Sequence, residues 1–589
     1  MRRGRHGLVL LALALGLLAA PEALRAAAEP VRFVDVTDSV GIDFRHVSSS
    51  TSQKYLPETM GSGVALLDYD GDGRLDIFFA NGARIDDPMP AGTLPVKDGP
   101  RYWNRLYHQK PDGRFEDVTT AAGLAGTGYG QGVAVGDYDN DGDEDLYVTG
   151  VFANQLYRNE GNGRFADVTA EAGVAGGGWS SSAAFVDFDQ DGRLDLFVGR
   201  YMEWSFAYNP HCSAAYNPFP DQSPNGPRAY CHPNLFKGAT ALLYRNEGSG
   251  RFRDVSKEAG VANPGGKSLG VAMADFDGDG FTDIFVANDA VQQFLYRNLG
   301  NGRFEDVALQ AFAAFDQDGK TFSGMGTDAA DYDNDDRPDV VVTNLANQCY
   351  ALYRNLGDRT FSYETHASGI GRISLLSSGW GVRFLDYDND GWKDLFLGQG
   401  HVLDTIELTS PHLRYKQPPL LARNENGRFK DVSAGAGDVF KTEWAARGLA
   451  IGDIDDDGDL DLVVSTLDDR GRVLRNEGGN AGHWIQLRLV GRRSNRDGIG
   501  AEVRLTTASG ALRHATARTA GGYLSAGDRR VHLGLGEEKA IGSIEIRWPS
   551  GIVQRLTQVT VDQILTVTEP EADPARPGPA VLGGDSRSR

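Results

Sequence analysis

DYDGDGRLDIFFAN, residues 68–81, places Asp68, Asp70, Asp72 and Asp76 in a nine-residue span that runs straight into an apolar stretch. The same pattern, Asp-x-Asp-x-Asp-Gly-x-x-Asp, returns six times. It supplies Asp137, Asp139, Asp141 and Asp145 in the second copy, then Asp187, Asp189, Asp191 and Asp195 in the third. Asp275, Asp277, Asp279 and Asp283 form the fourth, and Asp331, Asp333, Asp335 and Asp339 the fifth. Asp386, Asp388, Asp390 and Asp394 make the sixth, and Asp453, Asp455, Asp457 and Asp461 the seventh. Carboxylates two residues apart in a tight loop converge on one point, and a glycine at position 6 supplies the positive φ of the turn. A hard cation takes about six to eight oxygens, so positions 1, 3, 5 and 9, the carbonyl of position 7 and water make a set that suits Ca2+. Four acids packed without an ion would repel. The expectation is about seven structural Ca2+ sites; the bland alternative is solvated Asx turns that hold no metal. The fifth copy departs most, with Asp336 in place of the glycine and Pro338 following, although Asp tolerates the left-handed region better than most residues.

An EF-hand shares the first nine positions but needs a bidentate Glu at position 12 and flanking helices. Here position 12 is apolar in every copy (Phe79, Val148, Val198, Val286, Val342, Leu397, Val464), inside runs that read as buried strands. A second repeat accompanies the first: LYRNEGNGRFADVT from Leu156, LYRNEGSGRFRDVS from Leu243, LYRNLGNGRFEDV from Leu295 and LARNENGRFKDVS from Leu421, with looser copies at Leu106 and Leu352. One unit therefore reads strand, acidic loop, strand, LYRN strand, glycine turn, FxDVT strand, an up-and-down four-stranded sheet. Successive loops are 69, 50, 88, 56, 55 and 67 residues apart, enough for one blade each. The fold expected is all-β, a seven-bladed β-propeller over residues 29–480. FVDVT at Phe33 lacks an LYRN partner and VLRN at Val473 lacks an FxDVT, so the two termini together would complete the seventh blade rather than leave open edges.

The repeats resemble FG-GAP/VCBS repeats, the blades of integrin α-subunit propellers, and their order resembles the cartilage acidic protein family, where a propeller precedes a small ASPIC/UnbV domain. NRDGIGAEV from Asn495, GGYLSAGDRRVHLGLG from Gly521 and IEIRWPSG from Ile544 carry the second part of that resemblance. It covers about residues 31–569 and implies a domain at 481–570, whose alternating segments read as a small antiparallel β-sandwich or barrel.

The chain has 59 basic and 81 acidic side chains, a net charge of −22; seven Ca2+ ions would bring it to about −8, so the acidity is largely metal-binding capacity. Phosphate backbones demand a basic face, which excludes nucleic acid as a partner. Arg2, Arg3 and Arg5, the apolar run Leu8 to Ala20 and Ala26-Ala27-Ala28 read as a signal peptide over residues 1–28, the alternative being an uncleaved anchor. No transmembrane helix is expected after cleavage. The reading is an exported protein, whether periplasmic, cell-surface or extracellular, with residues 571–589 too rich in Pro, Gly and Arg to fold. Cys212 and Cys231 read as a disulfide stapling one insertion; with His211 and His232 they also offer a ligand set for zinc or copper. Cys349 reads as a small buried residue.

The long insertions 83–103, 200–241 and 399–419 follow the second strand of their units, so they belong on the face opposite the acidic loops. The largest carries Tyr201, Trp204, Tyr208, Tyr216, Phe219, Tyr230 and Phe236, suited either to an interaction surface or to packing the insertion down. In the C-terminal domain Arg496, His514, Arg518 and His532 either line an anionic pocket or sit on solvated strand faces. Three functions follow. The first is a non-enzymatic calcium-binding propeller acting in recognition, adhesion or scaffolding, with a protein or glycan ligand opposite the calcium loops and no oligomeric state fixed by the sequence. The second is an extracytoplasmic or biosynthetic-pathway enzyme using that face, with His211, His232 or His401 and Glu203 doing acid–base or metal chemistry. The third is an architectural surface protein that self-associates.

Overall fold

The computed structural model describes residues 31–213 and 228–571; the expected signal peptide and nearly all of the tail lie outside them, as do Tyr216 and Phe219. Seven four-stranded antiparallel sheets make up the larger part. The first runs Val64–Leu67, Asp76–Phe79, Arg105–Gln109 and Phe115–Asp117, and its acidic loop joins the first two strands. The other loops occupy the same place. The inner strands of successive sheets pack side by side in ring order, and that of the seventh, Ala446–Gly452, packs against that of the first. Ring closure also comes from pairing: Arg32–Asp35 is the outer strand of the seventh sheet, with Arg32 opposite Glu477 and Asp35 opposite Leu474. The sheets are blades of a propeller-like ring. Their near-continuous apolar runs are explained by burial on both faces between neighbouring blades, as with Ile284, Val286, Phe285 and Ala287, all fully buried.

The three insertions meet in one apolar cluster that includes Ala83, Ile85, Tyr201, Trp204, Tyr230, Phe236, Leu403 and Leu413. Trp204 lies edge-on to Tyr55 and Trp179, at 6.0 and 5.6 Å between ring centroids. Of the five described aromatics named for this insertion, four thus pack inward and Tyr208 is well exposed, at 57%. Cys212 and Cys231 are disulfide-bonded within this insertion, which takes both sulfurs out of any metal set. Cys349 is half-buried and free, not buried as its isolation in the sequence suggested, because it sits in a turn with φ +57°.

The C-terminal domain is two sheets around Ile485, Leu487, Val503, Leu533, Ile544 and Trp548. One is four-stranded and antiparallel, Leu512–Thr516, Glu502–Thr507, Ile541–Arg547 and Val553–Leu556. The other corrects the expectation of a wholly antiparallel domain: His483–Val490 pairs antiparallel with Val531–Gly536 but parallel with Ile564–Thr568. The first and last strands of the domain run the same way because the chain crosses to the other sheet before returning, a connection long enough for parallel pairing.

This domain sits on the acidic-loop face and drives a segment, Thr519 to Asp528, into the axis of the ring. Gly522 exchanges two backbone hydrogen bonds with Thr327 of the fifth sheet, Val133 of the second donates to the Leu524 carbonyl, and Ala526 pairs with Val64 and Leu66 of the first. Ser525 Oγ accepts from Val64 and Leu449, and Leu524 N donates to Ser182 Oγ. Tyr523 is fully buried against Trp380, 5.0 Å between centroids, and its hydroxyl donates to the Met60 carbonyl at 3.1 Å. A side chain at Gly63 would strike the Leu524 carbonyl at 1.7 Å, so the fit demands glycine there.

Candidate metal centres

Each acidic loop folds by the same hydrogen bonds. The position-1 carboxylate accepts from the backbone N–H of position 6, as Asp137 does from Gly142 at 2.8 Å and Asp187 from Gly192 at 3.0 Å. The bond requires a left-handed residue at position 6, and Gly142 has φ +105°. In the fifth loop Asp336 takes φ +69° and still donates to Asp331 at 2.9 Å, so that loop keeps the shape of the others. The position-9 carboxylate is fully buried: Asp145 accepts from Tyr138 N and Asn159 N, at 3.1 and 2.7 Å. Its remaining lone pairs stay open to a cation. Asp137, Asp139 and Asp145 bring carboxylate oxygens within 4.8 Å of one another, as do Asp187, Asp189 and Asp195, and Asp68, Asp70 and Asp72.

These loops fit a metal ion on two further observations. Buried carboxylate oxygens of Asp68, Asp189, Asp277, Asp333, Asp335, Asp386 and Asp388 have no hydrogen-bond partner, and a buried acceptor left so is expensive. Burial and mutual repulsion also drive the carboxyls upward: Asp137 and Asp76 to about 8, Asp187, Asp386 and Asp453 to about 7. A divalent cation among them would reverse both penalties.

The LYRN strand completes the site, a role its repetition beside every loop signals but that the sequence reading left unassigned. Its asparagine side chain reaches across to the preceding blade and donates to the carbonyl of loop position 2: Asn159 to Tyr69, Asn246 to Tyr138, Asn298 to Phe188 and Asn355 to Phe276, all at 2.7–2.8 Å. Asn424 and Asn476 do the same to Tyr332 and Tyr387, and Gln109 spans from the first blade to Ile454 of the seventh at 2.9 Å. In three blades the arginine of LYRN turns to its own loop, Arg245 to Asp189 at 2.7 Å, Arg354 to Asp335 at 3.0 Å and Arg423 to Asp388 at 2.9 Å, whereas Arg158, Arg297 and Arg475 pair with Glu160, Glu305 and Glu477. In the first blade His108 stands in its place, with Nδ1 3.2 Å from Asp76 and 3.5 Å from Asp70.

The C-terminal domain meets these loops with arginines: Arg488 lies 3.7 Å from Asp68, Arg529 3.3 Å from Glu144, Arg504 2.8 Å from Asp336 and Arg530 2.5 Å from Asp456. Opposite charge thus seats the domain on the acidic face. On the other face the candidate acid–base residues are held locally. His401 accepts from Leu403 N at 3.0 Å, burial taking it down to about 4, and His232 accepts from Asn234 N at 3.1 Å.

Repeats with acidic strand-to-strand loops, closed into a ring and capped by a β domain, define an FG-GAP-like repeat protein with a C-terminal ASPIC and UnbV domain. The FG-GAP-like repeat matches residues 68–148, 153–198, 237–286, 275–342 and 331–397, and ASPIC and UnbV matches 491–574. The chain is distantly homologous to cartilage acidic protein 1: it is 28% identical over 339 residues to the Homo sapiens protein (56% of this chain, 48% of that one) and 24% over 315 residues to that of Xenopus tropicalis (52% and 45%). It spans about half the length of these curated relatives. Among solved structures it is similar to an Agrocybe aegerita lectin described as recognising non-reducing terminal N-acetylglucosamine (TM-score 0.38, 17% identity, 65% of this chain and 82% of that). A Bacillus licheniformis rhamnogalacturonan lyase aligns at TM-score 0.33, with 13% identity and 75% of each chain. At these scores the likeness says nothing of what this chain binds. No helix among the described residues is long and apolar enough to cross a membrane.

Proposed function

We propose that the chain is an exported seven-bladed β-propeller, residues 29–480, carrying an ASPIC/UnbV domain at 481–570, in which Ca2+ held by the seven acidic loops is structural and the face opposite them receives a protein or glycan. One observation carries this reading: the same loop, its position-1 carboxylate held by the position-6 N–H, recurs in every blade, and in five of the seven it leaves motif carboxylate oxygens buried and unpaired. A donor set built on carboxylate oxygens, with a nitrogen only at His108 of the first loop, suits Ca2+ over softer metals. The capping domain occupies the loop face, which leaves the insertion face and the rim for a partner. Calcium there neutralises each loop and pins the turn between two strands, so it stabilises the folded ring by mass action. Plasma mass spectrometry of protein purified without chelator should find about seven calciums per chain, and EDTA should lower the melting temperature sharply. Protein that carries no calcium and melts identically in EDTA would sink the proposal.

A further inference from the structure

Between the C-terminal domain and the fifth to seventh blades lies a cavity of about 90 Å3, room for roughly six waters at 10–15 Å3 each on this measure, or one tetrahedral oxyanion. Its lining carries more basic than acidic groups: Arg383 and Lys393 come from the sixth blade, Arg518, Arg530, His514 and His532 from the C-terminal domain, against the carboxylates of Asp331 and Asp528. Three of these are already spent: His514 pairs through Nε2 with Glu502. Arg530 bonds Asp528, Asp456 and the Asp453 carbonyl, and Arg518 bonds Asp328 and the carbonyls of Ala520 and Ala329.

The others hold unused capacity. Arg383 is 4% exposed, yet its Nε and Nη1 make no hydrogen bond, and its nearest carboxylate, Asp328 at 3.6 Å, is committed to Arg518 and to Phe384 N. Guanidinium N–H groups this deep with no hydrogen-bond acceptor, and only the long ion pair to Asp328, are costly unless a further anion meets them. Half-buried Lys393 makes one hydrogen bond, to the His532 carbonyl at 3.3 Å. Buried His532 faces the Gly458 carbonyl through Nε2 at 3.3 Å, while its Nδ1 has no partner. Burial keeps that ring neutral, at about 3; with Nε2 donating, Nδ1 is left as an acceptor. The site therefore offers two cations for anionic oxygens and one lone pair for a hydroxyl. A monohydrogen phosphate group presents that combination, whereas sulfate has no proton to give.

We propose that this interdomain cavity binds a phosphate group between Arg383 and Lys393, its P–OH donating to His532 Nδ1, so that an oxyanion bridges propeller and cap. The proposal rests on the calcium reading in one respect: Asp331, which lines the cavity, must have its charge met by a loop cation for the cavity to stay electropositive. The probe is inorganic phosphate, titrated calorimetrically into the calcium-loaded full chain after free calcium is removed, with sulfate at equal ionic strength as comparison. One phosphate per chain should bind, at least about tenfold tighter than sulfate; Lys393→Met should abolish uptake and Arg547→Ala, on the same interface outside the cavity, should leave it unchanged. Should Lys393→Met not fold, a phosphate-soaked crystal of the wild type decides, with density between Arg383 and Lys393 expected. No uptake, uptake untouched by Lys393→Met, sulfate bound as tightly as phosphate, or an empty cavity in the soaked crystal overturns it. Calcium measured on the same samples separates failure of this site from failure of the loops.

Discussion

Removing a single inter-blade asparagine tests the account of how the ring is held. Asn355 is fully buried; its amide donates to the Phe276 carbonyl of the neighbouring blade at 2.8 Å and to the Pro338 carbonyl at 3.2 Å, and its Oδ1 accepts from Gly357 N at 3.0 Å. Asn355→Ala deletes three hydrogen bonds and strands buried backbone groups on both blades. Each buried group left unpaired costs about 1–3 kcal/mol, so a loss of about 2–4 kcal/mol is expected after partial relaxation. Asn355→Asp should be no better, since a carboxylate can only accept and would face two carbonyls. The comparison is Arg297→Ala, which removes an exposed pair with Glu305 at 2.8 Å and should cost about 0–1 kcal/mol. Urea unfolding of calcium-loaded protein measures both; the melting temperature is the weaker readout, because a cooperative unit this large converts each kcal/mol into only a degree or two, by extension of smaller domains. If Asn355→Ala unfolds at the same urea concentration as Arg297→Ala, the stitching argument is wrong.

Two predictions concern other parts of the molecule. Tyr523→Ala empties the ring axis against Trp380 and should cost about 3–5 kcal/mol, whereas Tyr523→Phe, which loses only the bond to the Met60 carbonyl, should cost about 1 kcal/mol; equal losses in urea unfolding would show that the segment does not pack as described. Glu58, buried beneath the insertion face and bonded by Thr51, Tyr55 and Tyr230, is pushed up from 4.5 to about 7, chiefly by burial. The folded chain then holds a proton that the unfolded chain has lost, so this stability is full below about pH 4.5 and is lost as pH rises through 7. The window is worth about 3 kcal/mol. Glu58→Gln in calcium-loaded protein should gain on the wild type across that range, and parallel profiles for the two would refute the assignment.

The acidic loops and the blade pattern were legible because each is local: the glycine or Asp336 at position 6, the strand after Asp76 and the turn before Phe165 are written within a few residues. Closure was legible too, as Phe33 and Val473 each lacked a half. The axial segment was not. In the sequence GGYLSAGD marks only the C-terminal resemblance, and only the ring supplies its partners: Thr327 for Gly522, Leu449 for Ser525 and Trp380 for Tyr523. The asparagine stitches fell between these cases: LYRN recurred beside every loop, but its reach is to the blade before, a contact no single repeat contains. The insertion aromatics read equally as surface or core, and Trp179 and Tyr55, far off in sequence, draw Trp204 inward.

The pairing of Arg32–Asp35 with Arg472–Glu477 also orders events in time. Its two halves are separated by about 440 residues, and such distant contacts are slow to form. As the chain emerges, its earliest strand has nowhere to dock, and the axial segment that locks the inner strands arrives later still. The seventh blade therefore cannot assemble until the chain through Glu477 is available, which makes closure of the ring a late step. A product cut short before residue 472 would keep an open sheet edge, and so would be marked for aggregation or degradation by the same geometry that seals the intact ring.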